Sequence, residues 1–251
     1  MTSKESKTIN IVIPMAGRGK RFLDQGYSTP KPLLEVNGKT MIEWVAKCMQ
    51  LPGAKFTFII RKDHDEEYAL GTLLKEKVPG CNIVIIDEVT EGAICTVLLA
   101  EKYINNDTPM IIKDCDQIID WSPENFLRFV HRNNADGAIV TVITQHPGYS
   151  FSKLAPDNMT IEQTAEKRVI SNLGNAGAYY FAKGSDLVKY GKMMIAKNIR
   201  TNNEFYVSPV YNEFVEDGKR ILNYPIAQIF GLNTPEEFES QKEEAMKLFE
   251  H

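Results

Sequence analysis

Residues 9–22, INIVIPMAGRGKRF, decide how the rest of the chain is read. Isoleucine and valine dominate its opening, so Ile9 to Met15 is expected as a strand buried on both faces. It runs straight into Ala16, Gly17, Arg18, Gly19, Lys20 and Arg21, a tight loop at the carboxyl end of that strand, where open α/β sheets bind ligands. Glycines there let backbone N–H groups approach a phosphate closely, and Arg21 can fork two hydrogen bonds onto phosphate oxygens. Met15, Ala16, Gly17, Arg18 and Gly19 are the candidate contacts in this loop. A dinucleotide-binding fingerprint would need a third glycine where Phe22 stands, and a P-loop would need Gly-Lys-Ser/Thr; neither is present.

Outward from that loop, apolar runs alternate with amphipathic stretches. Strands are expected at Lys55 to Ile60, Asn82 to Ile86, Pro109 to Asp114 and Gly137 to Thr144. Between them Met41, Val45, Cys48 and Met49 recur at helical spacing, as do Ile94, Val97 and Leu98, and Phe126, Leu127 and Val130. Ser122-Pro123-Glu124 and Thr234-Pro235-Glu236-Glu237 read as helix starts, and Asn37-Gly38 as a tight turn leading into the helix at Met41. This pattern implies an α/β fold of three layers, α/β/α, around a mostly parallel mixed sheet. Past residue 145, strands at Ala165 to Ser171 and Ala176 to Phe181 and helices at 185–197 and 204–217 imply an antiparallel portion appended to the sheet. The expected organisation is one domain over 1–251, with a flexible tail over 1–8 and halves at 9–145 and 146–251.

Bulk composition narrows the function classes. With 251 residues, 43% of them hydrophobic, the chain can bury a substantial core. A net charge of −4 gives no broad basic surface, so no nucleic-acid partner is expected. Cys48, Cys81, Cys95 and Cys115 lack the spacing of a zinc site or a disulfide framework, and His64, His131, His146 and His251 follow no triad or metal spacing. The polar start, Met1 to Thr8, is not a secretory signal, and no segment reaches the roughly 18 continuous apolar residues of a membrane span, so a cytoplasmic protein without a membrane partner is expected. Oligomeric state is left open.

Three further segments carry chemistry. In STPKPLLEVNGKTMIEW, residues 28–44, Lys31 is flanked by Pro30 and Pro32 and so held on a stiff extended segment of restricted reach. In TEGAICT, residues 90–96, Glu91, Gly92 and Ala93 open a helix, either as a rest for a base or ribose or as an ordinary helix cap. MIIKDCDQIIDW, residues 110–121, ends a buried strand with Asp114 and Asp116 on one side of the chain, a plausible hard-oxygen site for Mg²⁺; Gln117 follows beside it, and Trp121 is expected to pack on the next helix.

The strand, the glycine-rich loop ending in Arg21 and the Pro-Lys at Pro30-Lys31 resemble the opening of the nucleotidyltransferase family that includes the sugar-1-phosphate nucleotidylyltransferases. That resemblance implies a Rossmann-like, glycosyltransferase-A-like fold. It implies that Met15 to Gly19 wrap a nucleoside triphosphate, that Arg21 neutralises its β and γ groups, and that Lys31 sits where charge moves during reaction. It places nucleotide contacts at Glu91, Gly92 and Ala93, the metal on Asp116 with Asp114 either assisting or bonding the loop, and Gln117 toward the acceptor. In AEKRVISNLGNAGAYYF, residues 165–181, it assigns Glu166 and Lys167 to the acceptor's phosphate, with Asn175 and Gly177 near its sugar.

Two departures stand out against that family. Arg168 replaces the usual proline after Glu-Lys, which leaves room for a polyol or amino-alcohol phosphate. Gly231, in FGLNTPEEF, stands where many members carry a second metal aspartate, so Asp114, phosphate or water would complete the shell. No left-handed repeat follows, so a bifunctional acyltransferase arrangement is not expected. The activity implied is an NTP (CTP, UTP or dTTP) plus a sugar 1-phosphate giving an NDP-sugar and pyrophosphate, for cell-surface polysaccharide precursors. The alternatives are a glycosyltransferase, since Asp114-Cys115-Asp116 also satisfies its metal motif, and a noncatalytic nucleotide-sensing domain.

Overall fold

The structure is a computed structural model that describes residues 8–250. The expected flexible tail over 1–8 lies, apart from Thr8, outside the described residues, as does His251. The chain runs β1 (Ile9–Pro14), α1 (Lys20–Leu23), β2 (Glu35–Val36), β3 (Lys39–Thr40), α2 (Met41–Cys48), β4 (Ala54–Arg61), α3 (Lys62–Tyr68), α4 (Leu70–Lys77), β5 (Asn82–Ile86), α5 (Ala93–Leu98), α6 (Glu101–Ile104) and β6 (Met110–Lys113). It continues through β7 (Gln117–Ile119), α7 (Pro123–Arg132), β8 (Gly137–Ile143), β9 (Ser150–Leu154), β10 (Ile161–Glu166), β11 (Leu173–Phe181), α8 (Gly184–Ala196), α9 (Val210–Glu216), β12 (Ile221–Pro225), β13 (Ile229–Gly231) and α10 (Pro235–Met246).

β1 pairs in parallel with β4 on one side and β6 on the other, and β5 extends β4. The strand order therefore reverses at β1, and the loops leaving β1 and β6 open into the crevice that such a reversal creates. Ile9, Ile11 and Ile13 face one layer and Val12 the other. The first layer packs α2, α7 and α10 through Trp44, Phe126 and Phe238; the second packs α5, α8 and α9 through Val97, Tyr190 and Phe214. This is the expected three-layer α/β/α arrangement.

β11 closes the sheet antiparallel to both β6 and β8, and β12 returns parallel to β8. Beyond Ala178 β6 leaves β11, and β9 takes its place with Phe151 opposite Gly174. The sheet is split at that point, and Asp114 N–H still donates to Gly177 O at 2.9 Å across the split.

Several boundaries differ from expectation. The strand expected at Ala165 to Ser171 is β10, which ends at Glu166, because Lys167 turns into the left-handed region at φ 50°. The helix expected over 204–217 is only α9; residues before Pro209 pass alongside α5 instead. α3 and α4 were not expected, and α3 buries no residue at all, so it leaves no apolar period to read. Lys31 lies in a single 3-10 turn, Lys31–Leu33, rather than an extended segment, since Leu33 N–H donates to Pro30 O at 2.8 Å and a proline costs nothing in a first turn. Asn37-Gly38 closes the β2–β3 hairpin as read, and Thr40 with Glu43 forms a capping box at α2.

α7 is fixed by Phe126, 1% exposed, whose ring meets Trp121, Tyr180 and Tyr224 at centroid distances of 5.2, 5.7 and 5.1 Å. Phe126→Ala should destabilise the fold by about 3–5 kcal/mol, read as a lower urea midpoint at unchanged slope.

Candidate active site

Met15 and Ala16 are buried, with Met15 N–H donating to Ile59 O at 3.0 Å, so these two residues can offer a ligand backbone groups only. The loop then surfaces at Gly17 and Arg18, and α1 begins at Lys20. Arg18, Lys20 and Arg21 are exposed and have no ion pair among the described residues. Phe22 anchors the turn by burial, and its ring lies 5.6 Å from Lys31 Nζ.

Lys31 reaches across to the turn that follows β6 and forms a hydrogen-bonded ion pair with Asp116 Oδ2. The lysine and the carboxylate are 13% and 21% exposed, so water screens the pair only partly. The turn that carries Asp114 and Asp116 is clamped from three directions. β11 holds Asp114 N–H, Leu232 N–H donates to Asp116 O at 2.8 Å, and Lys113 Nζ donates to Asp114 O at 3.1 Å. Lys113 is fully buried, and burial lowers its pKa against the pull of Asp114.

Burial works against both carboxylates, with opposite outcomes. At Asp114 it prevails and the carboxyl is pushed up to about 6, opposed by Lys113 and reinforced by Asp116. At Asp116 the charge and hydrogen bond of Lys31 overcome burial and hold the carboxyl below its ordinary range.

Gly177 explains the shape of this corner. Its φ is +61°, and a Cβ there would lie 2.2 Å from Gln117 Oε1 and 2.6 Å from Asp114 Oδ2. Only a glycine lets β11 pass under the two side chains. Gln117 Oε1 is buried and has no hydrogen-bond partner. Two carboxylates and an open amide oxygen suit a small hard cation that keeps water and takes substrate oxygens; among the described residues no three His, Cys, Asp or Glu side chains form a fuller cage. Gly231 pairs directly with Gln117, so the position expected to lack an acid does lie beside this turn, where a Cβ would meet Asn233 Nδ2 at 3.1 Å and Glu237 Oε2 at 3.3 Å.

The Glu91–Ala93 segment is stitched to a distant stretch. Phe205 N–H donates to Glu91 O at 2.9 Å, Ile94 N–H donates to Phe205 O at 3.3 Å, and Arg200 pairs with the Glu91 carboxylate. Gly92 has φ +148°, and a Cβ on it would strike Phe205 O at 2.2 Å, so the close approach requires glycine.

In the segment expected to face the acceptor, Lys167 Nζ hydrogen-bonds the Tyr206 hydroxyl. Asn175 is buried with both ends engaged, accepting from Ser152 Oγ at 2.7 Å and donating to Ser208 Oγ at 3.0 Å, so it braces the floor rather than presenting itself. Arg168 is exposed. Sequence reasoning missed Lys113, Arg200 and Tyr206. A lysine inside the apolar run MIIK was a readable signal for the first; the others depend on long-range pairing.

The Glu166 carboxyl is pushed up to about 7, first by burial, with Asp114 and Glu204 adding to the rise and Lys167 opposing it. The folded chain therefore keeps a proton that the unfolded chain releases above about pH 4.5, and stability falls as pH rises through that window to about 7. Glu166→Gln removes this dependence, so its stability relative to the parent should rise between about pH 5 and pH 8 in urea titrations; an unchanged difference would refute the shift.

The sequence profile described as Nucleotidyl transferase matches residues 10–223. Among curated proteins, a mannose-1-phosphate guanyltransferase of Yarrowia lipolytica is 29% identical over 174 residues, covering 67% of this chain and 48% of that protein. The bifunctional protein GlmU of Thermotoga petrophila is 25% identical over 227 residues, covering 87% of this chain and 47% of that protein. The chain thus spans about half the length of the curated relatives it matches. Among solved structures, a nucleoside-diphosphate-sugar pyrophosphorylase from Vibrio cholerae RC9 superposes with a TM-score of 0.80 at 24% identity, over 93% of this chain and 99% of that one. The inositol-1-phosphate CTP transferase of T. maritima gives 0.75 at 13% identity, over 97% of each. These two show the same fold.

Proposed function

Since the chain belongs to the nucleotidyl transferase family, we propose that it joins a nucleoside triphosphate to a sugar 1-phosphate or similar small phosphomonoester and releases pyrophosphate. The observation that carries this reading is the contact between Lys31 and Asp116, which puts a cation and a carboxylate together against the glycine loop, whose Gly19 and Phe22 lie next to Lys31 and whose Arg18, Lys20 and Arg21 are exposed. A nucleotide-sugar donor lacks the triphosphate tail those cations would neutralise, which favours nucleotidyl transfer over glycosyl transfer.

A phosphate oxygen of the acceptor attacks the α-phosphorus; a new P–O bond forms, the bond to the β-phosphate bridge breaks, and pyrophosphate carries away the electron pair. The acceptor is already an anion near neutral pH, so no serine, cysteine or histidine nucleophile is required. The work of the protein is positioning and charge neutralisation. Arg21 steadies the leaving pyrophosphate, Lys31 the crowded oxygens around the α-phosphorus, and Lys167 the incoming phosphate. Ala16 to Gly19 offer backbone amides to the phosphates, and Glu91 to Ala93 flank the base or ribose. Asp116, with Asp114, would hold Mg²⁺, which when bound supplies positive charge to phosphate oxygens. We take residues 9–145 and 146–251 as nucleotide- and acceptor-binding halves of one unit. No helix among the described residues is long and apolar enough to cross a membrane; since triphosphates and phosphate esters are cytoplasmic metabolites, we place the reaction there, supplying precursors for surface polysaccharide.

CTP, UTP and dTTP head the expected nucleotides, and the guanyltransferases among the relatives add GTP. A grid of these four against sugar, polyol and amino-alcohol phosphates, read by pyrophosphate release, is expected to yield one productive pair; no release in any cell would defeat the proposal. With that pair, Lys31→Ala should lower kcat per folded molecule on the order of 100- to 1000-fold, with the folded fraction read from its own urea curve because loss of the part-buried pair lowers the midpoint as well.

A further inference from the structure

Tyr206 has no part in the reading above, yet its hydroxyl lies where the two halves meet. Phe205 and Val207 on either side are buried at 2% and 5%, while Tyr206 is only half-buried, so this one side chain is turned outward between two buried neighbours. The segment is firmly held. Phe205 is bonded on both backbone sides to the Glu91–Ile94 segment, and Ser208, 1% exposed, is bonded to Asn175 and Thr164.

Four charged side chains act on the hydroxyl. Lys167 donates to it, and its Nζ also stands 4.5 Å from the centroid of the tyrosine ring. Lys167 reaches that position from a left-handed backbone, φ 50°, a strained conformation for a non-glycine residue that its N–H bond to Tyr149 O at 3.1 Å helps to hold. The positive charge of Arg21 is also felt at the hydroxyl, and Glu204 and Glu166 bring negative charge. Burial first, and then Glu204, keep the phenol in its protonated form.

A neutral phenol accepts and donates at once. Lys167 occupies the accepting side. The proton remains, and the group facing it in the free chain is Glu204, an exposed side chain whose place water can take at small cost.

We infer that the Tyr206 hydroxyl is a ligand of the acceptor's phosphate, donating to one of its oxygens while accepting from Lys167, so that the incoming phosphate is seated against Lys167 and Tyr206. The inference rests on the acceptor-site reading proposed above and adds to it a residue from a third segment. Tyr206 also sorts acceptors by charge state: a donor hydroxyl held beside the Lys167 ammonium suits a phosphate dianion and has no comparable use for a neutral sugar.

The test is a ³¹P NMR titration of the full chain with inorganic phosphate, in saturating pyrophosphate to fill the Arg18–Arg21 loop. Tyr206→Phe keeps the ring under Lys167 and removes only the hydroxyl. It is expected to raise the phosphate dissociation constant about ten-fold, as for loss of a hydrogen bond to a charged group, and to leave pyrophosphate affinity within about two-fold. A phosphate affinity within about two-fold of the parent in Tyr206→Phe, with Lys167→Met weakening it, overturns the tyrosine's role and leaves the acceptor site standing. Phosphate binding indifferent to both substitutions, or absent from the parent, overturns the acceptor-site reading as well.

Discussion

The ion pair of Lys31 with Asp116 is the interaction around which the rest of the molecule is arranged. Lys31 belongs to the segment that follows the glycine loop, and Asp116 to the turn that follows β6. Neither is near the other in sequence. They meet because β1 and β6 are adjacent parallel strands whose carboxyl ends open on the same side, at the point where the strand order reverses. A lysine 13% exposed has exchanged most of its hydration for this carboxylate, which requires that the turn beneath Asp116 be fixed. The fixing comes from Gly177, Leu232 and the buried Lys113, drawn from three different strands or their ends.

The fold was legible in its apolar strands. β1, β4, β6 and β8 are largely buried runs rich in isoleucine, valine and phenylalanine, which have few other ways to bury themselves, and the edge strand β5 carries the same kind of run though only half-buried. The helix starts at Ser122 and Thr234 were equally plain, since each hydroxyl accepts from the N–H three residues on, at 3.2 Å in both cases. The second half was harder to read. β9 and β10 are short and half polar, and where β10 stops depends on the left-handed Lys167, which no propensity foretells. The three-residue strands β7 and β13 exist only because they find each other across more than a hundred residues.

The site divides in the same way. Arg21, Lys31, Asp114 and Asp116 could be named from local chemistry, because glycines, bracketing prolines and paired acids each restrict what a neighbouring charge can do. Asn175 stood in a promising strand, but its amide is consumed by two serines, and sequence carries no record of such satisfaction. Tyr206 and Arg200 follow the loop after α8, where the amino-acid pattern is that of an ordinary asparagine-rich turn. Their importance arises from what folds against them.

The bonding of Phe205 to Glu91 and Ile94, forced so close that residue 92 must be glycine, has an implication for how such a protein can change over time. The stretch we assign to the base and the stretch we assign to the acceptor share a backbone seam, so neither can be exchanged as a cassette without dragging the other. New pairings of nucleotide and acceptor in this lineage should therefore arise by altering single side chains such as Arg168, while transplanted loops should yield chains selective for neither.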